Sequence, residues 1–83
     1  MNRAIILFHL REAAEQLTET IQNLGSGGDY GAEGFKVDMG HLYHHVNTAW
    51  NGRDQTDAQH ARCTDEGFKR FRRFPVESEL FLD

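Results

Sequence analysis

The chain has 83 residues, of which 39% are hydrophobic and 27% charged, and its net charge is −4. This balance is too apolar for a disordered chain, and the length limits it to one small domain. The acidic charge disfavours general nucleic-acid binding, and no apolar run approaches the roughly 18 residues of a membrane span. The single cysteine, Cys63, excludes an intrachain disulfide and indicates a reducing compartment. We therefore expect one cytoplasmic domain over residues 1–83.

An apolar stripe predicts the first helix, over about residues 3–24. Its members are separated by steps of three and four residues, which places them on one helical face. They are Leu7, Leu10, Ala14, Leu17, Ile21 and Leu24. Asn2 precedes the helix and is a candidate N-cap, because its side chain can accept from a free backbone N–H.

A second stripe predicts another long helix, over about residues 33–51, after a glycine-rich loop at residues 25–31. Its members are Phe35, Met39, Leu42, Val46 and Ala49. The loop lacks the preceding strand and the lysine of a phosphate-binding loop, so we interpret it as a flexible connection. The two helices predict an antiparallel hairpin, in which each helix covers the other on one side. We expect the two stripes to be the covered sides.

The first helix also carries apolar side chains outside its stripe, including Ile5, Ile6 and Phe8. A single partner helix cannot cover all of them, so we expect a homodimer in which two hairpins form a four-helix arrangement. Further cover is expected from a short third helix at about residues 57–73 and from a docked tail at residues 75–83. The fold class predicted is thus all-α.

Thr56 and Gln59 have the spacing of a capping box, so a helical turn is expected to begin there, and Thr64 or Asp65 is the alternative cap of the third helix. Its end is expected before Pro75, because the residue before a proline avoids helical geometry.

The densest cluster of chemically active residues lies in the second helix. His41 and His45 share a face at i, i+4, and Asp38 lies one turn before His41. Two neutral imidazoles with a carboxylate suit zinc or a similar divalent ion, and no other cofactor is predicted. The alternative is that these histidines form hydrogen bonds across a helix interface. His44 is expected to point to another face.

Two further segments carry chemistry of their own. His60 and Cys63 have metal-ligand spacing and could form a catalytic couple, but no orienting third group is near in sequence. A structural cysteine beside an exposed histidine is the simpler interpretation. Residues 68–74 interleave aromatic and basic side chains, a pattern found in proteins that bind single-stranded nucleic acid, but a helix docked through Phe68 and Phe71, with the bases on its outer face, fits the pattern better. The bases are Lys69, Arg70, Arg72 and Arg73.

The chain contains no nucleophile elbow, zincin motif or dinucleotide-binding fingerprint. We therefore expect a small non-enzymatic interaction or regulatory module with an unidentified protein partner. The alternatives are a metal-binding helical protein that uses Asp38, His41 and His45, and a nucleic-acid accessory protein that uses residues 69–73.

Overall fold

The computed structural model describes residues 1–62, of which 77% are helical, with no strand in this part of the chain. Helix α1 spans Arg3–Gly25, α2 spans Ala32–Asn51 and α3 spans Asp57–Ala61. The two long helices are in contact and antiparallel. The predicted all-α hairpin is therefore confirmed. None of the described helices is long and apolar enough to cross a membrane.

Asn2 ties the start of α1 to the segment between α2 and α3. Its side-chain oxygen accepts from the Ile5 N–H at 3.3 Å, as expected of an N-cap. Its side-chain amide donates to the Gln55 carbonyl at 3.0 Å and to the Asp57 carboxylate at 2.9 Å. Its backbone N–H donates to the Arg53 carbonyl at 2.7 Å. One residue thus closes the open end of the hairpin.

The predicted capping box at the start of α3 is confirmed. The Gln59 N–H donates to the Thr56 hydroxyl at 3.1 Å, and the Thr56 N–H donates to the Gln59 side chain at 2.9 Å. The remainder of the predicted third helix and the expected docked tail lie outside the described residues.

The loop between the long helices turns at Gly27, whose φ of +70° is a conformation that favours glycine. Tyr30 follows and holds the first turns of α2. Its hydroxyl donates to the Asp38 carboxylate at 2.7 Å, and its ring packs over Gly34. A Cβ atom at position 34 would lie 3.2 Å from the Tyr30 ring, so the ring occupies space that a side chain would need.

The face of α1 that packs against α2 is not the leucine stripe. The buried residues of α1 are Ile5, His9, Ala13, Gln16 and Thr20. The stripe side chains of leucine and isoleucine are instead between 45% and 60% exposed. The expectation that the α1 stripe is covered by α2 is therefore wrong, and Ile5, expected to point away from the partner helix, is buried. The reason is that heptad spacing identifies a shared face but not the element that covers it.

Both apolar stripes lie on the same side of the hairpin. At about 100° per residue, the centre of each stripe is rotated by roughly 100° from the centre of its helix's buried face, in the same sense when viewed from each N-terminus, and Ala49 at the edge of the second stripe is itself buried. Two antiparallel helices are related by a twofold axis that is perpendicular to both. Stripes that are rotated in the same sense from the two buried faces therefore lie on the same side of the helix pair. The exposed Phe35 and Val46 of α2 therefore lie beside the exposed leucines of α1. We call this surface the apolar face.

The hairpin interior contains small and polar side chains. Its buried hydrophobic residues are Ile5, Ala13 and Ala49, and no large side chain in residues 1–62 is fully buried. The buried polar residues are His9, Gln16, Thr20, His45, Asn47 and Thr48. The two alanines allow the helix backbones to approach, and polar side chains then meet across the interface.

Enlarging Ala13 tests which face of α1 is inside. Ala13→Leu should lower the free energy of unfolding by about 1–3 kcal/mol, because added methylenes force the helices apart. Ala4→Leu is the matched control, since Ala4 is exposed on the same helix and should change stability little. Chemical denaturation measures both. Equal stability of the two variants would show that Ala13 does not face α2.

Candidate functional site

All five histidines of the chain lie close together where α1, α2 and α3 meet. The ring centroid of His9 lies 5.2 Å from that of His45, 5.5 Å from that of His60 and 6.2 Å from that of His44. The His41 ring lies 4.6 Å from the His45 ring. These five residues, which come from three helices, form the histidine cluster.

A chain of hydrogen bonds runs through three of these rings and ends on Gln16. His9 Nδ1 and His45 Nδ1 are 2.9 Å apart, and His45 Nε2 and His41 Nε2 are 3.0 Å apart. His41 Nδ1 is 2.6 Å from Gln16 Oε1. The hydrogen-bond chain crosses from α1 to α2 at His9 and returns to α1 at Gln16, so it joins the two helices at points two turns apart.

Thr20 fixes the orientation of the Gln16 amide. The Thr20 hydroxyl donates its single proton to the Gln16 backbone carbonyl at 2.8 Å. The same hydroxyl accepts from Gln16 Nε2 at 3.0 Å, so the amide nitrogen faces Thr20. The amide oxygen therefore faces His41, and because an amide oxygen only accepts, His41 Nδ1 must carry the proton.

The proton on His41 Nδ1 determines which nitrogen carries the proton in the His45 and His9 rings. With the proton of His41 on Nδ1, its Nε2 accepts from His45 Nε2–H. His45 Nδ1 then carries no proton and accepts from His9 Nδ1–H. His9 Nε2 is left as a lone pair at the end of the chain. This atom is buried and has no hydrogen-bond partner among residues 1–62.

The interior of the cluster favours neutral imidazoles. His9 is 5% exposed and His45 is 8% exposed. Burial, followed by the nearby His45, His60 and His44, lowers the pKa of His9 from 6.5 to about 4. Burial, followed by His44 and His41, lowers the pKa of His45 to about 4 as well. At neutral pH both rings are uncharged, as the hydrogen-bond chain requires.

The predicted metal strip is divided between two sets of contacts. His41 and His45 are hydrogen-bonded to each other, whereas the Asp38 carboxylate accepts from Tyr30. Within residues 1–62, no three His, Cys, Asp or Glu side chains are arranged so that they could hold a metal ion. A site formed by Asp38, His41 and His45 stays a prediction. The alternative interpretation, histidines bonded across a helix interface, describes what the structure contains.

Sequence reasoning did not assign His9 to this site. His9 interrupts the apolar run at the start of α1, and it shares a face with Ile5, Ala13, Gln16 and Thr20. These residues also repeat at steps of three and four, so they form a second helical face that is smaller and more polar than the stripe. His44, expected on another face, lies 4.8 Å from the His45 ring and belongs to the cluster.

Several predicted features lie outside the described residues. They are Cys63, the phenylalanines of residues 68–74 and the basic residues Lys69, Arg70, Arg72 and Arg73. His60, the partner of Cys63 in the predicted pair, is half-buried, and its ring lies 6.0 Å from the Phe8 ring.

Comparison with known proteins gives no relative. No family model matches the chain, no curated protein is similar to it, and no solved structure resembles its fold at a significant level. The apolar face and the histidine cluster are therefore the two features from which a function can be inferred.

Acid should weaken the fold before ordinary carboxyl groups titrate. The unfolded chain binds protons at His9 and His45 below about pH 6.5, whereas the folded chain binds them only near pH 4. Stability is therefore full above pH 6.5 and falls as the pH drops, by up to about 1.4 kcal/mol per pH unit for each group. Denaturant titrations between pH 7 and pH 5 measure the slope.

His9→Gln removes one of the two groups and should flatten this dependence by about half. Wild-type stability that does not change between pH 7 and pH 5 would contradict the buried neutral cluster.

Proposed function

We propose that this chain is a small non-enzymatic interaction module that acts as a homodimer, with its apolar face as the contact surface. The observation that carries the proposal is the location of the large aliphatic side chains. Leu7, Leu10, Leu17, Ile21 and Leu24 are exposed, whereas the hairpin interior buries one isoleucine and two alanines. A domain of this size requires a larger apolar core or a partner.

The dimensions of the apolar face support a second copy as its occupant. From Leu7 to Leu24 the stripe runs for about 25 Å at 1.5 Å per residue. Two packed helices are about 20 Å wide, so the face offers roughly 500 Å² on each copy. Two copies would bury about 1,000 Å², which is the lower limit for a specific interface.

The regularity of the stripe also supports a helical partner. Steps of three and four residues place leucines at positions that interdigitate with a facing helix. A twofold dimer brings the same face from each copy into contact, so the exposed side chains of the stripes in both copies are covered at once. The resulting four-helix arrangement would place the leucines in its core and the histidine clusters towards its outside.

The mass in solution tests this proposal. Light scattering during gel filtration should give twice the chain mass of 9.5 kDa at micromolar concentration. Leu17→Asp should give the monomer and lower the melting temperature, because it places a charge in the centre of the apolar face. Thr18→Asp is the matched control, because Thr18 is next to Leu17 in sequence, is exposed and lies off the stripe.

A wild-type mass of 9.5 kDa would overturn the proposal. So would a Leu17→Asp protein that keeps the wild-type mass, because the contact would then lie elsewhere on the molecule.

A further inference from the structure

The spacing of the apolar face is the same when it is counted from either end. In α1 the stripe residues are separated by three, four, three, four and three residues, so the midpoint of the stripe lies between Glu15 and Gln16. The exposed and half-buried stripe residues of α2 are separated by four, three and four residues, with their midpoint between Gly40 and His41. They are Phe35, Met39, Leu42 and Val46. A half-turn about each midpoint therefore places every stripe residue of this set opposite another one.

The two midpoints lie at about the same height on the hairpin. His41 Nδ1 is 2.6 Å from Gln16 Oε1, so residues beside the two midpoints are in contact across the helix pair. One axis that lies in the apolar face and is perpendicular to both helices therefore passes through the centre of both stripes. A twofold dimer requires a surface that matches itself under such an axis.

We propose that two copies associate about this perpendicular axis, with α1 antiparallel to α1 of the second copy and α2 antiparallel to α2 of the second copy. The inference rests on the proposed dimer and adds its orientation and register. Each stripe residue packs against the stripe residue at the same height in the second copy. The pairs are Leu7 with Leu24, Leu10 with Ile21, Ala14 with Leu17, Phe35 with Val46 and Met39 with Leu42.

The lengths of the two stripes favour this axis over the other twofold axis of the face, which runs parallel to the helices. The parallel axis would place α1 on α2 of the second copy. Leu24 would then lie near Ala32, at the first turn of α2, and Leu7 near Ala49, which is already buried. Both leucines are about half exposed and would lack a large apolar partner. The perpendicular axis pairs them with each other.

The charges at the end of the apolar face favour the same axis. Arg3 is exposed and continues the spacing of the α1 stripe, four residues before Leu7. The perpendicular axis places it beside the loop that follows α1 in the second copy, where Asp29 is the one charged residue. The parallel axis would place it beside Arg53, because the bond from the Asn2 N–H to the Arg53 carbonyl sets these ends at the same height. Opposite charges support the first arrangement, and like charges oppose the second.

Disulfide cross-linking of the full-length chain tests the register. Every variant carries Cys63→Ser, so the introduced thiol is the only one in the chain. Leu10→Cys and Ile21→Cys proteins, mixed under reducing conditions and then oxidised, should form a covalent dimer on a non-reducing gel. Each protein oxidised alone is the matched control and should stay uncrosslinked, because two identical positions lie about 16 Å apart along the helix, beyond the reach of a disulfide.

A second mixture tests the other axis. Leu10→Cys with Val46→Cys should not cross-link, because the perpendicular axis places these residues towards opposite ends of the bundle. Cross-linking of this mixture, without cross-linking of Leu10→Cys with Ile21→Cys, would overturn the inference and assign α1 to α2 of the second copy. Cross-linking of either single variant alone to the same extent as the mixture would also overturn it, because the register would then not be fixed.

Light scattering under reducing conditions separates this inference from the dimer itself. A monomeric wild type would overturn the proposed dimer and the register with it. A dimeric wild type whose dimeric Leu10→Cys and Ile21→Cys variants fail to cross-link when mixed would overturn the register alone.

If a cysteine variant loses the dimer mass, charge reversal on the native apolar face decides. Arg3→Asp and Asp29→Arg should each raise the dimer dissociation constant about three- to tenfold, because each places like charges together twice in the dimer. The double variant restores both pairs and should return the constant towards the wild-type value. A double variant that is as weak as the sum of the two single changes would contradict the register.

Discussion

The contact of His45 with both His9 and His41 decides how this chain folds. His45 accepts from His9 on α1 and donates to His41 on its own helix, and His41 donates in turn to Gln16 on α1. His9, Gln16 and His45 are buried polar residues that would be costly to bury without a partner, and the hydrogen-bond chain, which passes through the exposed His41, gives each of them one. The bonded rings therefore select the polar face of α1, rather than its leucine stripe, as the side that meets α2.

That selection has a consequence for stability. With histidine, glutamine and threonine between the helices, the leucines of α1 and the exposed Phe35 and Val46 of α2 remain on one outer face. Hydrophobic burial is the dominant favourable term in folding, and within residues 1–62 the leucines of α1 contribute little to it. We therefore infer that the polar interior specifies the pairing of the helices, while a second copy would supply the main apolar burial.

The sequence predicts the elements of this fold better than their arrangement. Periodicity gives two long helices, and the capping residues Asn2 and Thr56 follow from local hydrogen-bond chemistry. The orientation of α1 does not follow, because Ile5, His9 and Ala13 repeat at helical spacing just as Leu7, Leu10 and Ala14 do. Choosing between these faces requires knowing which residues α2 presents to α1, because His9 becomes a favourable interior residue only when His45 lies opposite it. For the same reason the pair in α2 was predicted but the third ring, from α1, was not.

Nitrogen-15 NMR of the histidine rings at neutral pH tests the directed chain most directly, because the chemical shifts of Nδ1 and Nε2 show which atom carries the proton. The account predicts a proton on Nδ1 of His9, on Nε2 of His45 and on Nδ1 of His41, with a coupling across each bonded pair of rings. A proton on Nε2 of His9, or three rings that exchange freely between tautomers, would contradict it.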